Sequence, residues 1–273
     1  MKRRDFLTKA AVGGAMAAAA TVAAAPAVMA QDSYNWKMVT TWPPKMPILQ
    51  IGAERFAQRV EEMSNGRMKI QVYAAGELVP ALGTFDAVSS GTVECGSGAA
   101  YYWAGKEPAV QWFSSVPFGL NAQGLNSWFY AGDGLKLWEE VYAPFNLVPR
   151  PQGNTGVQMG GWFNKELFEA LPADMQAILA TASEATDLSM SDEFTARNSL
   201  ALKELMEVHG VTPRKFPDDL LRQLRDVSRQ VIDELGQISP LAQRIHASYH
   251  EFETNVTRYH AISEEAYNDA RDL

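Results

Sequence analysis

The sequence predicts an α/β fold that ends in long helices. Strand-like and helix-like patterns alternate between residues 34 and 100, and amphipathic helical patterns fill the C-terminal third. A third observation is the stretch of residues 152–165, QGNTGVQMGGWFNK, which has the composition of a short, glycine-rich strand. This order of elements favours a parallel or mixed sheet with helices on its faces.

The first hundred residues supply the predicted sheet and its first helices. Apolar residues recur every three or four positions from Leu49 to Met63, which predicts a helix that ends at Asn65-Gly66. A shorter helix is expected around residues 85–90. The strands are expected at residues 34–42, 67–73 and 93–100.

Aromatic residues follow the ends of these strands. Trp42 closes the first strand and Tyr101 follows the third, where ligands bind in sheets of this kind. We interpret both as candidates for the wall of a binding cleft, with core packing as the alternative. Core packing is favoured for Trp112, Phe113 and Phe118, and for Trp128, Phe129 and Trp138 on two helices predicted between residues 121 and 145.

Gln158 is the candidate polar contact in the glycine-rich strand. Its amide offers both a donor and an acceptor, which suits a carboxylate or an ion. The alternative is an ordinary strand residue whose amide is satisfied internally.

The C-terminal third predicts three helices. The first runs from about residue 175 to Gly210, and residues 211–216 are expected to form a short returning strand. A last helix is expected to begin near residue 241. A terminal helix of this length is expected to pack across the domain or against a partner subunit. The helix between them opens at residues 217–219 and carries an apolar face of Leu221, Leu224, Val227, Val231 and Leu235.

The first thirty residues have the pattern of an export signal. Arg3 and Arg4 precede a run of small and apolar residues that ends in Val28-Met29-Ala30. The arginine pair resembles a twin-arginine signal. An N-terminal transmembrane helix is the alternative, but the run is rich in alanine and glycine and weakly apolar. We therefore expect a periplasmic protein exported by the twin-arginine route.

Composition narrows the class of partner. Without residues 1–30, 20 of the 24 Lys and Arg and 31 of the 32 Asp and Glu remain, for a net charge of about −11. This acidic chain argues against nucleic acid or anionic lipid as a partner. Cys95 is the single cysteine, so the chain holds no intramolecular disulfide, and its apolar setting predicts a buried residue.

Catalytic motifs do not emerge, so we predict that the chain is not an enzyme. Tyr101 stands where a dinucleotide fingerprint beginning at Gly96 needs its third glycine, and neither a nucleophile elbow nor a phosphate-binding loop occurs. His246 and His250 lie four positions apart near Glu251, Glu253 and His260. This spacing permits a metal site, but a solvated polar helix face is the favoured interpretation.

Several long segments resemble the substrate-binding subunit of TRAP transporters, the DctP type, in its branch that binds 2-oxo acids. The resemblance extends from residue 36 to residue 165 and resumes from about residue 167 to the C-terminus. The segments that carry it are WKMVTTWPP, VYAAGELVPALGTFDAVSSGTVECG, AAYYWAGKEPAVQWFSSVPFGL, NTGVQMGGWFNKE, LPADMQAILATASEAT and FTARNSLALKEL.

The resemblance implies a two-lobed fold of the periplasmic binding protein type with long C-terminal helices. It implies capture of a small carboxylate and delivery to membrane subunits driven by a sodium gradient, and together with the long last helix it suggests a homodimer. It also implies that Gln158 contacts the ligand and that a metal ion, sodium by expectation, lies nearby. The implied division is 1–30 signal peptide, 31–154 first lobe, 155–166 remnant of the second-lobe sheet, and 167–273 helical region.

The chain departs from the family pattern after Lys165. The family's connector, its strand with the carboxylate-binding arginine, and the acidic residues that hold the metal have no counterpart here. Arg150 is the nearest arginine, and nothing in its position directs it to the cleft. We therefore expect an incomplete second lobe and weak or absent carboxylate binding. An exported enzyme of unknown chemistry, a non-functional truncated paralogue and an assembly artefact are the alternatives.

Overall fold

A mixed five-stranded sheet organises the chain in its computed structural model, which describes residues 32–271 and 273. The strands lie in the order β2-β1-β3-β5-β4. β1 pairs in parallel with β2 and β3, whereas β5 pairs antiparallel with β3 and β4. The strands are β1 Tyr34–Thr40, β2 Met68–Tyr73, β3 Cys95–Gly98, β4 Leu147–Asn154 and β5 Gln158–Asn164.

Helices cover both faces of this sheet. They are α1 Leu49–Met63, α2 Thr84–Ser89, α3 Ala122–Ala131, α4 Gly134–Tyr142, α5 Lys165–Glu169, α6 Ala173–Glu207, α7 Asp218–Leu235, α8 Pro240–His260 and α9 Glu264–Arg271. Short 3-10 turns, including Ala100–Trp103 and Pro108–Phe113, complete the loops. None of the described helices combines the length and apolar character needed to cross a membrane.

Close packing of indole rings explains the glycines of β3 and β5. A Cβ atom at Gly96 would lie 2.7 Å from Nε1 of Trp162, and one at Gly160 would lie 2.8 Å from the Trp138 ring. Both tryptophans are fully buried, and Trp162 meets Trp103 with ring centroids 4.9 Å apart. The glycines of these strands therefore allow large aromatic rings to lie directly on the sheet.

The two faces of the sheet bury separate cores. One is aromatic and centres on Phe113, whose ring stacks on Trp128 at 5.7 Å and on Trp138 at 5.5 Å. The other lies under α1 and α6 and includes Phe56 and Phe163. Burial of these side chains is the main stabilising term of the fold.

α6 crosses the second face and is held to α1 by polar contacts. Arg55 forms an ion pair with Glu193 at 2.8 Å, and the Arg59 guanidinium donates to Thr186 Oγ1 at 2.9 Å. Met190 lies against the backbone of both Gly52 and Gly153. These contacts orient the first half of α6 over the sheet.

The α/β class and most of the predicted elements are confirmed. The helix at residues 49–63, the core positions of Trp112, Phe113, Trp128, Phe129 and Trp138, and the burial of Cys95 all agree with the sequence analysis. The N-terminal export signal lies outside the described residues. The lobe boundaries stay a prediction; β5, assigned to a remnant of a second sheet, lies in the same sheet as β1.

Several predictions were wrong. Residues 152–165 form most of a hairpin, β4 and β5 joined by a turn at Gly156, rather than one strand. β4 escaped detection because Pro149 and Pro151 interrupt its pattern, which an edge strand tolerates. Residues 211–216 form no strand, and Phe118, in a left-handed backbone conformation, is 49% exposed.

The predicted C-terminal helices also differ in their ends and burial. The last one breaks between His260 and Glu264, which separates α8 from α9. α7 has the predicted amphipathic pattern but no buried residue. Ile232 and Leu235 near its end pack on the aromatic core, whereas Leu224, Val227 and Val231 of its apolar face stay exposed.

Candidate functional site

Gln158 is the first residue of β5, next to the turn of the hairpin, and its side chain is fully buried. Its backbone N–H donates to the carbonyl of Ser114, and the Ser114 hydroxyl donates to the carbonyl of Gln158 at 3.2 Å. This reciprocal pair ties the strand to the loop that follows the aromatic 3-10 turn. The backbone around Gln158 is therefore fixed.

The amide of Gln158 is held by three side-chain and backbone partners. Its Nε2 donates to Asp187 Oδ1 at 2.8 Å and to the carbonyl of Met159 at 3.0 Å. Its Oε1 accepts from Asn154 Nδ2 at 3.1 Å. Both N–H groups are used, so the orientation of the amide is determined by the protein itself.

Asp187 is the charged member of this cluster. It lies on α6 with 1% of its surface exposed. Desolvation raises the pKa of its carboxyl to about 6, against the opposing hydrogen bonds from Gln158 and Asn126. A change of its charge therefore falls within a physiological pH range.

Tyr130 and Glu184 surround Asp187 with further titratable groups. Burial raises the pKa of the Tyr130 hydroxyl, and the charges of Asp187 and Glu184 add to that increase. Arg150 acts in the opposite direction on the same hydroxyl. The cluster is therefore negative on balance when Asp187 is ionised.

Trp42 and Tyr101, the two aromatic candidates, lie in different environments. Trp42 is 4% exposed and packs against Ala99 and Met159, the neighbour of Gln158. Tyr101 is 41% exposed and reaches Trp42 only through Tyr102, whose ring lies 4.7 Å from that of Tyr101 and 6.3 Å from that of Trp42. The structure thus brings Trp42 close to the Gln158 strand and leaves Tyr101 at the surface.

Gln152 is a buried polar group that the sequence analysis did not single out. It is 2% exposed, lies over the backbone of Gly161, and neither end of its amide finds a partner among the described residues. A buried amide without partners retains its full capacity to bind a polar group.

Asp187 was also missed, although a signal for it exists. Ser183, Asp187 and Met190 follow the spacing of the buried stripe of α6, which places Asp187 among core positions. A carboxylate in such a stripe marks a specific buried partner. The partner, Gln158, is distant in sequence and could not be identified from spacing.

Arg150 has hydrogen-bond partners other than Gln158. Its Nη1 donates to Glu139 Oε1 at 2.5 Å and to the carbonyl of Pro149 at 2.6 Å, and its guanidinium lies 5.7 Å from the centre of the Phe168 ring. The described hydrogen bonds of Gln158 include no arginine. The structure therefore assigns Arg150 to packing and to an ion pair with α4.

The histidine cluster of α8 lines a groove with the loop at residues 116–119 and with α7. His246 Nε2 lies 3.3 Å from Asp233 Oδ1, and its ring is 6.1 Å from that of His250. The groove has a volume of about 680 Å³. Across the described residues, no group of three His, Cys, Asp or Glu side chains could hold a metal ion.

The fold is that of a solute receptor. A TRAP transporter solute binding protein from Bordetella bronchiseptica, with calcium and picolinate in one site of a mixed-occupancy dimer, superposes with a TM-score of 0.85 and 22% identity over 88% of this chain and 98% of its own. A TRAP periplasmic solute binding protein from Pseudoalteromonas atlantica, with sodium and pyruvate, superposes with a TM-score of 0.83 and 23% identity. The match covers 87% of this chain and 99% of that protein. At these identities the likeness establishes the fold.

The chain belongs to the DctP family, the bacterial extracellular solute-binding proteins of family 7, whose profile matches residues 38–162 and 153–237. The family consists of receptors rather than enzymes, and the protein is periplasmic. A relative from Nostoc, the monocarboxylate 2-oxoacid-binding periplasmic protein, is 48% identical over 170 residues. That match spans 61% of this chain but 46% of the relative, so the chain corresponds to about half of it.

Proposed function

We propose that this chain is the extracytoplasmic solute-binding subunit of a TRAP-type, sodium-coupled transporter, in the class that captures small 2-oxo acids. The observation that carries the proposal is the 48% identity, over 170 residues, to a relative named as a monocarboxylate 2-oxoacid-binding periplasmic protein. Gln158, Trp42 and Tyr101 would contact the ligand. Export would follow the twin-arginine route, and membrane subunits would receive the ligand.

We further propose that binding is impaired because a segment is missing after Lys165. The family profile matches in two overlapping pieces that meet in the β4–β5 hairpin, as expected where a segment has been lost. β5 then leads directly into α5, whose first turn is capped by Asn164 Oδ1 accepting from the N–H of Leu167. Without a bidentate arginine, a ligand carboxylate loses about 2–5 kcal/mol, or roughly 30-fold to several thousand-fold in affinity.

Isothermal titration calorimetry with pyruvate tests both parts. The mature protein is titrated in sodium chloride and in choline chloride, and we expect dissociation constants in the millimolar range or weaker. Gln158→Ala should abolish any residual binding, whereas Gln123→Ala on the exposed side of α3 should not. Micromolar binding by the wild-type protein would contradict the impairment, and residual binding that survives Gln158→Ala would remove Gln158 from the site.

A thermal shift panel separates the receptor from an exported enzyme. Oxo acids with sodium should raise the melting temperature of a receptor, while flavins or divalent metals would raise that of an enzyme. Resequencing the genomic region that encodes residues 150–180 distinguishes a biological deletion from an assembly artefact. A contiguous reading frame with additional codons after Lys165 would establish the artefact.

We also propose a homodimer through the C-terminal helices. Tyr259 near the end of α8, Ile262 after it and Tyr267 on α9 are 63%, 79% and 65% exposed, which leaves apolar surface for a second copy. Light scattering on a size-exclusion column should give the dimer mass. The double substitution Ile262→Lys with Tyr267→Lys should give the monomer, and an unchanged mass would place the interface elsewhere.

A further inference from the structure

Asp187 presents a carboxylate to the amide that the proposed function assigns to the ligand. It extends from the buried half of α6, and its Oδ1 lies 2.8 Å from Gln158 Nε2. None of the ion pairs among the described residues includes Asp187, so amides rather than a cation satisfy it. A carboxylate held by an amide donor has the chemistry of a bound carboxylate ligand.

The two N–H groups of Gln158 leave no donor for a ligand while Asp187 stays in place. One N–H donates to the carbonyl of Met159, which belongs to β5 and is fixed by the sheet. The other donates to the Asp187 side chain, which can rotate about its χ angles. Access of a ligand carboxylate to Gln158 therefore depends on Asp187 leaving.

We infer that Asp187 is an internal competitor of the ligand carboxylate: it holds the Gln158 amide in position and determines the affinity and the pH dependence of carboxylate capture. This inference rests on the proposed function. Ionised Asp187 both occupies the donor and repels an incoming anion. Protonated Asp187 removes the repulsion and weakens its hold on the donor, so an anionic ligand exchanges with it more readily.

Charged and titratable groups from each element packed around Asp187 define this pH dependence. Glu184 lies on the same helix, Tyr130 and Asn126 lie on α3, and Arg150 lies on β4. The carboxyl of Asp187 has a pKa of about 6, raised by desolvation first, whereas the Tyr130 hydroxyl is protonated at neutral pH as tyrosines ordinarily are, and burial raises its pKa further. Asp187 is therefore the group of this cluster expected to change charge between pH 5 and pH 7.

Nuclear magnetic resonance of the Gln158 side-chain amide tests the contact without any ligand. In the full mature protein, the two amide proton resonances should shift between pH 5 and pH 7 with a midpoint near 6. Asp187→Asn should abolish that shift, whereas Asp192→Asn, an exposed neighbour on the same helix, should leave it unchanged. A Gln158 amide that does not respond to pH in the wild-type protein would overturn the inference, even if the variant fails to fold.

Pyruvate titrations at pH 5.5 and pH 7.5 test the competition. The wild-type protein should bind about tenfold more tightly at the lower pH, and Asp187→Ala, which empties the donor, should bind at least about tenfold more tightly than wild type at pH 7.5. Asp192→Asn should match wild type. Equal affinities of wild type and Asp187→Ala would overturn the inference while the proposed function survives. Absence of binding by all variants, with the amide resonances still titrating, would overturn the competition, because Asp187→Ala would then free the donor without gaining a ligand, and it would leave the impaired receptor of the proposed function in place.

Discussion

At the scale of single residues, the candidate site is a set of buried amides around one carboxylate. Asn154, Gln158 and Asp187 satisfy one another, and Gln152 lies nearby in sequence without a partner among the described residues. Pairing lowers the cost of burying polar groups, and an unpaired group retains that cost. The two glutamines therefore make opposite contributions to stability.

Gln152→Met should stabilise the protein. The substitution removes a buried amide without partners, which costs about 1–3 kcal/mol, and fills a similar volume with apolar atoms. The same substitution at Gln158 is the matched control and should destabilise the protein, because it removes a hydrogen-bond partner from both Asp187 and Asn154. Urea unfolding followed by tryptophan fluorescence measures both. Destabilisation by Gln152→Met would show that its amide has a partner in the native protein.

Asp187 should make the protein less stable as the pH rises. Its carboxyl has a pKa of about 6 in the folded protein and about 4 when unfolded, so the folded state binds more protons between these values. The contribution of Asp187 to stability is fully present below pH 4, and about 3 kcal/mol of it is lost as the pH rises through 6.

Urea unfolding at pH 4.5, 6.0 and 7.5 measures this effect as the difference between wild type and Asp187→Asn. Hydrogen bonds from Arg67 and Arg55 lower the pKa values of Asp174 and Glu193, so these two groups contribute to the pH dependence of stability with the opposite sign. Their contributions are the same in both proteins and cancel in the difference, which therefore isolates Asp187. Parallel pH profiles of the two proteins would contradict the assignment.

At the scale of elements, packing rather than turn chemistry explains the glycines of the central strands. Gly96→Ala would place a methyl group against the Trp162 indole and should cost about 1–3 kcal/mol through overpacking. Gly105→Ala, at a position with open space, is the control and should change the free energy of unfolding by less than about 0.5 kcal/mol. Equal effects in urea unfolding would show that Trp162 can move away from the sheet.

α7 is an amphipathic helix whose apolar stripe is exposed. Leu220, Leu224, Val227 and Val231 are 38%, 46%, 58% and 54% exposed, and they recur at helical spacing. The helix is held at its inner side by Ser228, which donates to the carbonyl of Pro117 at 2.8 Å, and by the pair of Asp233 with His246. These four side chains therefore belong to none of the core clusters of the described chain, unlike Ile232 and Leu235 of the same helix.

Replacing Leu224, Val227 and Val231 by glutamine should lower the fluorescence of the dye ANS bound to the protein. The unfolding free energy should change by less than about 1 kcal/mol, because no core contact is lost. Ile232→Gln, which alters a side chain packed on the aromatic core, should instead destabilise the protein. An equal loss of stability in the triple variant would mean that the stripe is buried in solution.

At the scale of the whole molecule, stability is unevenly distributed. Residues Met175–Met190 of α6 supply its buried positions, whereas the rest of that helix and α7 contribute no buried residue. This is the pattern expected if, as proposed above, the chain lacks a segment that these helices would cover. It also separates a rigid sheet from a loosely supported helical extension.

Hydrogen exchange should follow this division. Amides of residues 195–235 should exchange through local opening well before those of β1, β3 and β5, because few apolar contacts oppose their unfolding. Exchange followed by mass spectrometry at neutral pH measures the order. Uniform protection across both regions would show that α6 and α7 are covered, for example by a second copy.

Local patterns determined most of the elements but not the polar contacts. The α1 stripe, the strand alternation of β1 and β2 and the burial of Trp112 and Phe113 depend on neighbours in sequence, so they could be predicted. Phe118 and β4 depend on a left-handed backbone and on an edge position that tolerates proline. Neither property is visible in hydrophobic periodicity.

The sequence by itself determined the α/β class, the family and the candidacy of Gln158, because these rest on periodicity and on long motifs. Only the tertiary structure decided which side chains form hydrogen bonds with Gln158. Asp187 is 29 positions away and reaches it because α6 crosses the hairpin, while Arg150, much closer in sequence, turns to Glu139. Side-chain pairing across elements depends on the crossing of a helix over a sheet, and no spacing along the chain encodes that crossing.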